Sequence, residues 1–279
     1  MKLIADSGST KTDWVVRHGS GADVVKVSTE GINPYHLDDD RIKSVLESLL
    51  IPMLSDNNIG VDSIDEVRFY GAGCSEAMRP RMESLLKSCF LNAEVVEARS
   101  DMLGAARALL GNDRGVACIL GTGSNSCYYD GQDIAFGVSP MGYILGDEGS
   151  GAVMGRDFIN AMYRCTFPEE IQRSFESETC YDQSVIINKV YREPMANRFL
   201  ASLAPFIHDY LHIAEVEQFV IGHFERFFNN VISQYVTYLG TREFKIHFVG
   251  SIAYHFESQL RTASNNTGFS VGKILKTPL

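Results

Sequence analysis

The sequence has no uninterrupted apolar run near the ~20 residues that a membrane-spanning helix needs, and residues 1–6 turn polar too early for a secretory signal. Basic residues are also scarce: 25 Lys and Arg stand against 35 Asp and Glu, giving a formal net charge of -10. This balance argues against a protein that binds nucleic-acid backbones, because such binding needs a basic face. It leaves a nucleotide site open, since backbone N–H groups can hold phosphate. We therefore expect a cytoplasmic protein without membrane or nucleic-acid partners.

The six cysteines are scattered and form no C-x-x-C pair. Their spacing matches neither a zinc site nor an iron–sulfur site, so we interpret them as reduced cytoplasmic thiols. The 279 residues are 45% hydrophobic and 22% charged, as in globular proteins with a sizeable core. At ~150 residues per domain, this length suggests about two domains.

Hydrophobic periodicity predicts an α/β protein whose first half runs β-β-β-α-β-α-β-α. The predicted strands are residues 2–5, 14–17, 24–28, 65–70 and 93–96, and the predicted helices are residues 38–54, 76–90 and 101–110. In the second half, strands are predicted at residues 116–120, 126–129, 134–138, 244–249 and 269–274, and helices at residues 150–164, 183–191, 196–212, 215–239 and 252–264.

Both halves open in the same way. In residues 2–10 and again in residues 117–125, a short apolar strand leads into glycine, serine and threonine before a returning strand. One repeat of this kind after about 115 residues indicates duplication of a domain-sized unit rather than a solenoid. The polar connector at residues 112–114 predicts domains at residues 1–112 and 113–279.

The two glycine-containing hairpin tips are candidate phosphate sites. Glycine lets the backbone come close to a ligand and aim several N–H groups at one point, and Ser and Thr hydroxyls add donors. Either tip alone could be an ordinary turn. Two similar tips at the same place in two similar units favour a joint role in holding a polyphosphate.

Three acidic positions carry both a structural and a functional interpretation. Asp6 ends the first strand, where it could bind magnesium, often through water, or cap the turn. Asp101 opens a helix as a cap or as a general base. Asp147, within residues 146–151 (GDEGSG), either belongs to a flexible loop or faces a substrate. Residues 208–212 (HDYLH) resemble a zinc-binding helix, but we favour part of an amphipathic helix there.

Four segments together resemble the sugar kinase/actin/Hsp70 superfamily, in particular its N-acetylglucosamine kinase-like and BadF/BadG/BcrA/BcrD ATPase group. They are residues 4–12 (IADSGSTKT), 119–126 (ILGTGSNS), 142–151 (GYILGDEGSG) and 248–253 (FVGSIA). The resemblance covers nearly the whole chain. It implies two duplicated actin-like (ribonuclease H-like) βββαβαβα domains with a nucleotide cleft between them, and a homodimer is common in this group.

The resemblance also implies roles for individual residues, with ATP and Mg²⁺ as cofactors and a small-molecule sugar as substrate. Asp101 would be the catalytic base, and Asp6 would hold magnesium through water. The cofactor-binding residues would be Gly8, Ser9, Thr10, Lys11 and Thr12 in the first phosphate loop, Gly121, Thr122, Gly123 and Ser124 in the second, and Gly250 and Ser251 against adenosine. The sugar hydroxyls would be held by Asn33, Asn125 and Asp147.

The expected activity is ATP-dependent phosphorylation of an amino-sugar hydroxyl, with O6 as the acceptor. One departure from the pattern leaves the N-acetyl specificity open: Met141 stands where N-acetylglucosamine kinases carry a tryptophan. Three alternatives are an ATP-hydrolysing activator of a reductase or dehydratase, a sugar-sensing regulator without turnover, and an actin-like assembling protein. The scattered cysteines argue against the activator, whose relatives bridge an iron–sulfur cluster.

Overall fold

The computed structural model describes residues 1–8, 10–19, 21 and 23–279, with Asp23 as backbone alone. It divides into two compact units. The first comprises Met1–Ala108 with Pro278–Leu279, and the second comprises Leu109–Thr277. The division lies within the helix at residues 101–110, a few residues before the boundary expected from the sequence.

The first unit consists of one five-stranded sheet and its helices. Its strands are β1 (Lys2–Ser7), β2 (Lys11–Arg17), β3 (Asp23–Glu30), β4 (Glu66–Gly71) and β5 (Val95–Ser100). Its helices are α1 (Asp39–Val45), α2 (Ile51–Asp56), α3 (Arg79–Cys89) and α4 (Asp101–Leu110). A π-helical stretch, Leu46–Leu50, joins α1 to α2, and a 3₁₀ turn, Val61–Ser63, precedes β4.

Alternating burial explains why the strands of this sheet form. In β1 every second side chain is buried, which places Leu3 and Ala5 in the core. On β2, Trp14 is buried, and its indole N–H donates to the Thr29 hydroxyl at 3.0 Å. Its ring lies 6.2 Å from that of Phe69 on β4, so one aromatic pair links two strands across the core.

The second unit has another five-stranded sheet and a larger helical part. Its strands are β6 (Gly115–Leu120), β7 (Ser124–Tyr129), β8 (Ile134–Val138), β9 (Lys245–Val249) and β10 (Ser270–Leu275). Its helices are α5 (Gly142–Leu145), α6 (Gly151–Tyr163), α7 (Glu169–Thr179), α8 (Gln183–Tyr191), α9 (Ala196–Ala201), α10 (Ala204–Asp209), α11 (Ala214–Phe227), α12 (Ser233–Leu239), α13 (Ser251–His255) and α14 (Glu257–Asn266). A π-helical stretch, Phe228–Ile232, makes α11 and α12 one continuous helix.

The two sheets have the same topology. The order is β3-β2-β1-β4-β5 in one and β8-β7-β6-β9-β10 in the other. In each sheet the first three strands are antiparallel neighbours, and the last two run parallel to the first. This confirms the predicted α/β fold with two duplicated actin-like halves.

Several predicted elements differ from the observed ones. The strand expected at residues 93–96 is Val95–Ser100, so it runs directly into α4. Helix α7 has no counterpart in the prediction. The single helix expected at residues 196–212 is two short helices, and α10 ends at Asp209. His212 therefore lies beyond the helix, which removes the one-turn spacing that a zinc site would need. In the described part of the chain, no helix is long and apolar enough to span a membrane.

Two glycines inside helices provide a test of the packing. A Cβ on Gly155 of α6 would overlap the backbone of Leu200 on α9, whereas a Cβ on Gly222 of α11 would have no atom within 4 Å. We expect Gly155→Ala to lower the free energy of unfolding by roughly 1–3 kcal/mol or more. Gly222→Ala should raise it by about 0.5–1 kcal/mol, because alanine loses less backbone entropy in a helix.

Urea denaturation followed by far-UV circular dichroism measures both effects. Gly222→Ala is the matched control, since it adds the same methyl group to another helix of the same unit. Equal stability of the two variants would contradict the close α6–α9 contact.

Candidate functional site

In the first unit, two predicted site segments and the loop after β4 leave the same end of the sheet. Strands β1, β4 and β5 are parallel neighbours, so their carboxyl ends lie side by side. The register pairs Ser7 with Gly71 and Gly71 with Ser100. The hairpin after Ser7, the loop after Gly71 and the start of α4 at Asp101 consequently leave the same edge.

The carboxylates of Asp6 and Asp101 interact electrostatically at this edge. Asp6 faces Asp13 across the β1–β2 ladder. The pKa of Asp6 is raised to about 7, and burial is the largest cause. The charges of Asp101 and Asp13 contribute to this increase, and Lys11 has a small opposing effect. A nearby cation stabilises the charged form of a carboxylate with such a raised pKa. This end of the sheet therefore favours a positively charged ligand.

Asp101 is held at the first turn of α4. Its Oδ1 accepts a hydrogen bond from the Met102 N–H at 2.8 Å, and the Ser100 hydroxyl accepts one from the Leu103 N–H at 3.3 Å. Burial raises the pKa of Asp101, and the Met102 N–H opposes this increase. One carboxylate oxygen of Asp101 is thus fixed by the backbone.

The β1–β2 hairpin is held together by buried hydroxyls. Those of Ser7 and Thr12 lie 2.6 Å apart, and both accept a hydrogen bond from the Ile32 N–H, at 3.0 and 3.1 Å. The Thr12 hydroxyl also donates to the Glu30 carbonyl at 3.2 Å. The predicted phosphate-binding side chain of Thr12 is therefore buried and committed to the fold of the hairpin.

The tip of this hairpin contains the remaining residues of the first predicted phosphate loop. Gly8 donates its N–H to the Lys11 carbonyl at 3.0 Å, which closes the turn. Thr10 is exposed, and the Lys11 ammonium lies 2.7 Å from a carboxylate oxygen of Asp13. Ser9 lies outside the described residues.

Asn33 lies against the loop that follows β4. Its side-chain oxygen accepts a hydrogen bond from the Tyr35 N–H at 3.0 Å. Gly73, whose φ is +75°, leaves room for it, since a Cβ there would overlap the Asn33 amide. The predicted sugar contact Asn33 is thereby fixed in the same unit as Asp6 and Asp101.

In the second unit, the loop between β6 and β7 is bonded to the start of α6. Gly121 donates its N–H to the Gly123 carbonyl at 3.0 Å. The carbonyls of Gly121 and Thr122 accept from the N–H groups of Gly151 and Ala152, at 2.8 and 3.1 Å. Ser124 begins β7. The second predicted phosphate loop is therefore a tight turn with a fixed backbone.

The predicted adenosine turn lies beside that loop, because β9 runs parallel to β6. Gly250 has a φ of +124°, and a Cβ on it would overlap the carbonyl of Leu120. Its N–H donates to the Leu275 carbonyl at 3.0 Å. Ser251 follows as an exposed residue at the start of α13.

Asp147 and Asn125 line one pocket of the second unit. Asp147 has a left-handed backbone with φ of +53°. Burial and the charge of Glu148 raise its pKa, while the nearby backbone N–H groups of Gly142 and Ser124 oppose the increase. The side-chain oxygen of Asn125 accepts from the Ser126 N–H at 2.8 Å, which leaves its amide nitrogen for a ligand. Two predicted sugar ligands are thus brought together.

The acidic edge of the first unit fits a loosely held magnesium ion rather than a closed metal cage. Among the described residues, no group of three or more His, Cys, Asp and Glu side chains is arranged to hold a metal. Magnesium often keeps several waters and binds through one or two carboxylates plus phosphate oxygens. Asp6, with its raised pKa of about 7 and two carboxylates nearby, suits this mode of binding.

Several residues at these sites were not predicted from the sequence. Asp13 is the cross-strand partner of Asp6, and the register of a tight hairpin could have identified it. Glu148, Asn230 and Gln234 line the pocket with Asp147. The last two lie on a long amphipathic helix, and nothing in their sequence distinguishes them from other polar residues of its solvent face.

Comparison with solved structures decides the family. A candidate N-acetylglucosamine kinase from Porphyromonas gingivalis is 42% identical, with the alignment covering 100% of this chain and 95% of the other at a TM-score of 0.94. The chain belongs to the N-acetylglucosamine kinase-like family. No model of a known protein family matches the chain, and no protein with a curated description matches it either.

More distant structures share the fold of this N-acetylglucosamine kinase-like protein. A candidate N-acetylglucosamine kinase from Chromobacterium violaceum is 14% identical over 98% of this chain and 93% of its own, with a TM-score of 0.62. A ROK family glucokinase from Streptomyces griseus, solved with glucose and AMPPNP, is 12% identical over 99% of this chain and 94% of its own, with a TM-score of 0.55.

The raised pKa of Asp6 predicts a pH-dependent stability. The folded state binds a proton at Asp6 up to about pH 7, while the unfolded chain releases it near pH 4. The contribution of Asp6 is therefore most favourable below pH 4 and is lost as the pH rises to about 7. We expect Asp6→Asn to raise the free energy of unfolding at pH 8 by roughly 1–3 kcal/mol, with a smaller effect near pH 4.

Urea denaturation without magnesium at both pH values tests this expectation. Asp56→Asn, an exposed acid at the end of α2, is the control and should change stability equally little at either pH. An Asp6→Asn variant that is less stable than the parent at pH 8 would show that Asp6 is not electrostatically unfavourable in the folded protein.

Proposed function

We propose that the protein is an ATP-dependent sugar kinase that phosphorylates a hydroxyl, O6, of an amino sugar such as N-acetylglucosamine or a related hexose. The observation that carries this proposal is the acidic pair Asp6 and Asp101 at one sheet edge, with Asp101 buried at the start of α4. The family membership supports it, because the 42% identical relative is a candidate N-acetylglucosamine kinase.

Asp101 would act as the general base. Its carboxylate would accept the proton of the sugar hydroxyl as that oxygen attacks the γ-phosphorus and the bond to the bridging oxygen of ADP breaks. The products would be a sugar phosphate and ADP. A carboxyl whose pKa is raised by burial is a stronger base than an exposed one. The Met102 N–H on Oδ1 would leave Oδ2 for the substrate.

The glycine turns of the two units would bind the phosphates of ATP. Gly8, Thr10 and Lys11 would do so in the first unit, with Ser9 and the backbone of Thr12, and Gly121 through Ser124 in the second. The N–H groups of Gly8 and Gly121 close the turns themselves, so other backbone N–H groups of these two turns would hold phosphate oxygens without adding net charge. Gly250 and Ser251 would contact adenosine. The chemistry that magnesium supplies when bound is neutralisation of charge on the transferred phosphoryl group, and Asp6 would hold it through water.

Asn33, Asn125 and Asp147 would position the sugar through its hydroxyl groups. The amide nitrogen of Asn125 and the carboxylate of Asp147 offer a donor and an acceptor in one pocket. Fixing the acceptor hydroxyl in line with the phosphorus supplies much of the rate enhancement in phosphoryl transfer. The glucokinase from Streptomyces griseus shares the fold and was solved with glucose and AMPPNP. It therefore supports a sugar and an adenine nucleotide as the two substrates proposed here.

Replacement of the proposed base tests the mechanism. Asp101→Asn keeps the oxygen that accepts from Met102 but removes the proton acceptor. We expect kcat for sugar phosphorylation to fall roughly 100- to 10,000-fold, as for the loss of a general base. Affinity for the non-hydrolysable analogue AMPPNP, measured by calorimetry with magnesium, should change less than about threefold, a shift under ~1 kcal/mol.

The assay first screens glucosamine, N-acetylglucosamine, N-acetylmannosamine, N-acetylmuramic acid and glucose for ADP formation by the parent. Asp113→Asn, an exposed acid after α4, is the control and should keep the parental kcat. Near-parental turnover by Asp101→Asn would exclude its role as base. ADP formation at one rate with and without every sugar would favour an ATPase over a kinase.

A further inference from the structure

The pocket that contains Asn125 and Asp147 has one wall to which the family resemblance gives no role. This wall is the long helix formed by α11 and α12, which contributes Asn230 and Gln234. The helix passes there through its π-helical stretch Phe228–Ile232, a wider turn of the kind often found at functional sites. The pocket is therefore bounded by the β7–β8 hairpin, the 146–148 loop and the helix, all within the second unit.

The charge of this pocket has one sign. Asp147 and Glu148 both line it, and none of the described residues around it is Lys, Arg or His. Apolar side chains, among them Val138, Met141 and Val231, line the same space. Apolar neighbours reduce the local dielectric response, so the two carboxylates act more strongly on a ligand than they would in open water.

The helix wall also contributes hydrogen-bond acceptors to the pocket. The Asn230 amide nitrogen donates to a Glu148 carboxylate oxygen at 3.4 Å. The Gln234 amide nitrogen donates to the backbone carbonyl of Asn230 at 2.9 Å. Each nitrogen has one of its two N–H groups engaged, and the side-chain carbonyls of Asn230 and Gln234 join the two carboxylates as acceptors.

From these contacts we propose that the pocket selects sugars by charge: it favours hexoses with a cationic substituent over neutral ones, and it disfavours acidic ones. Glu148 and Gln234 would be specificity-determining residues. An ammonium or hydroxyl group donates to acceptors and is attracted or tolerated by negative charge, whereas a carboxylate or phosphate is repelled by the two carboxylates. That the ligand is a sugar rests on the proposed function; the sign of the charge preference rests on the pocket.

Glucosamine and glucose are the probes, because they differ only by an amino group in place of a hydroxyl. At about pH 6 the amine is protonated. The measured quantity is the ratio of the two dissociation constants from calorimetry, glucose over glucosamine, with AMPPNP and magnesium present. Glu148→Gln removes a charge at nearly constant shape and should lower this ratio roughly threefold or more. Gln234→Glu adds a charge and should raise it by a similar factor.

Glu243→Gln is the matched control, since it removes one acid of the same unit that does not line the pocket. It should leave the ratio within about twofold, a shift of under ~0.5 kcal/mol. Because each variant is compared on two sugars, a general loss of stability cancels. Opposite shifts in the two pocket variants support the inference, and a ratio unchanged in both, or no binding of either sugar, would overturn it.

Phosphate transfer assayed on the same samples separates this inference from the proposed function. Selective binding without any transfer would contradict the kinase and leave the charge preference intact. Transfer to either sugar with an unresponsive ratio would contradict the charge preference and leave the kinase intact.

Discussion

Close approach of backbone to backbone at the ends of the central strands is the constraint on which both candidate sites depend. Gly250 can follow β9 only because it has no Cβ to meet the carbonyl of Leu120, and its φ of +124° is one that side chains rarely allow. In the first unit, Gly73 likewise has no Cβ that would overlap the side-chain amide of Asn33. The loops therefore carry function because glycine keeps their backbone and neighbouring polar groups within reach of a ligand.

The electrostatic environment of the acidic residues at these strand ends differs between the two units. In the first, burial and like charge raise the pKa of Asp6 to about 7, so the edge is unfavourable until a cation joins it. In the second, the nearby backbone N–H groups of Gly142 and Ser124 oppose the increase that burial causes in the pKa of Asp147. The first arrangement suits a group that exchanges charge with a ligand, and the second suits a group that holds a hydroxyl in place.

The sequence predicted the sheets and their loops well because these features have local causes. Short apolar runs between glycine turns indicated strands close to the observed ones, although β5 is Val95–Ser100 rather than residues 93–96. The start of α4 at Asp101 was predicted at the correct residue. Other features depend on tertiary packing. Helix α7 buries only Ile171 and Phe175, so few apolar positions mark it in an otherwise polar segment. Asn230 and Gln234 face a pocket because a π-helical turn and the β7–β8 hairpin lie where they do, and no short motif records that.

The duplicated fold explains why a single sheet topology can support two kinds of chemistry. In each unit the parallel central strands deliver several loops to one edge, which is a general way to collect polar groups. What a unit then binds is set by the few residues that those loops carry. Buried acids without basic neighbours exclude anions unless a metal accompanies them, whereas N–H-lined turns accept anions directly. In this protein both kinds of surface come from the same β-turn-β framework, so a net charge of -10 is compatible with binding a polyphosphate.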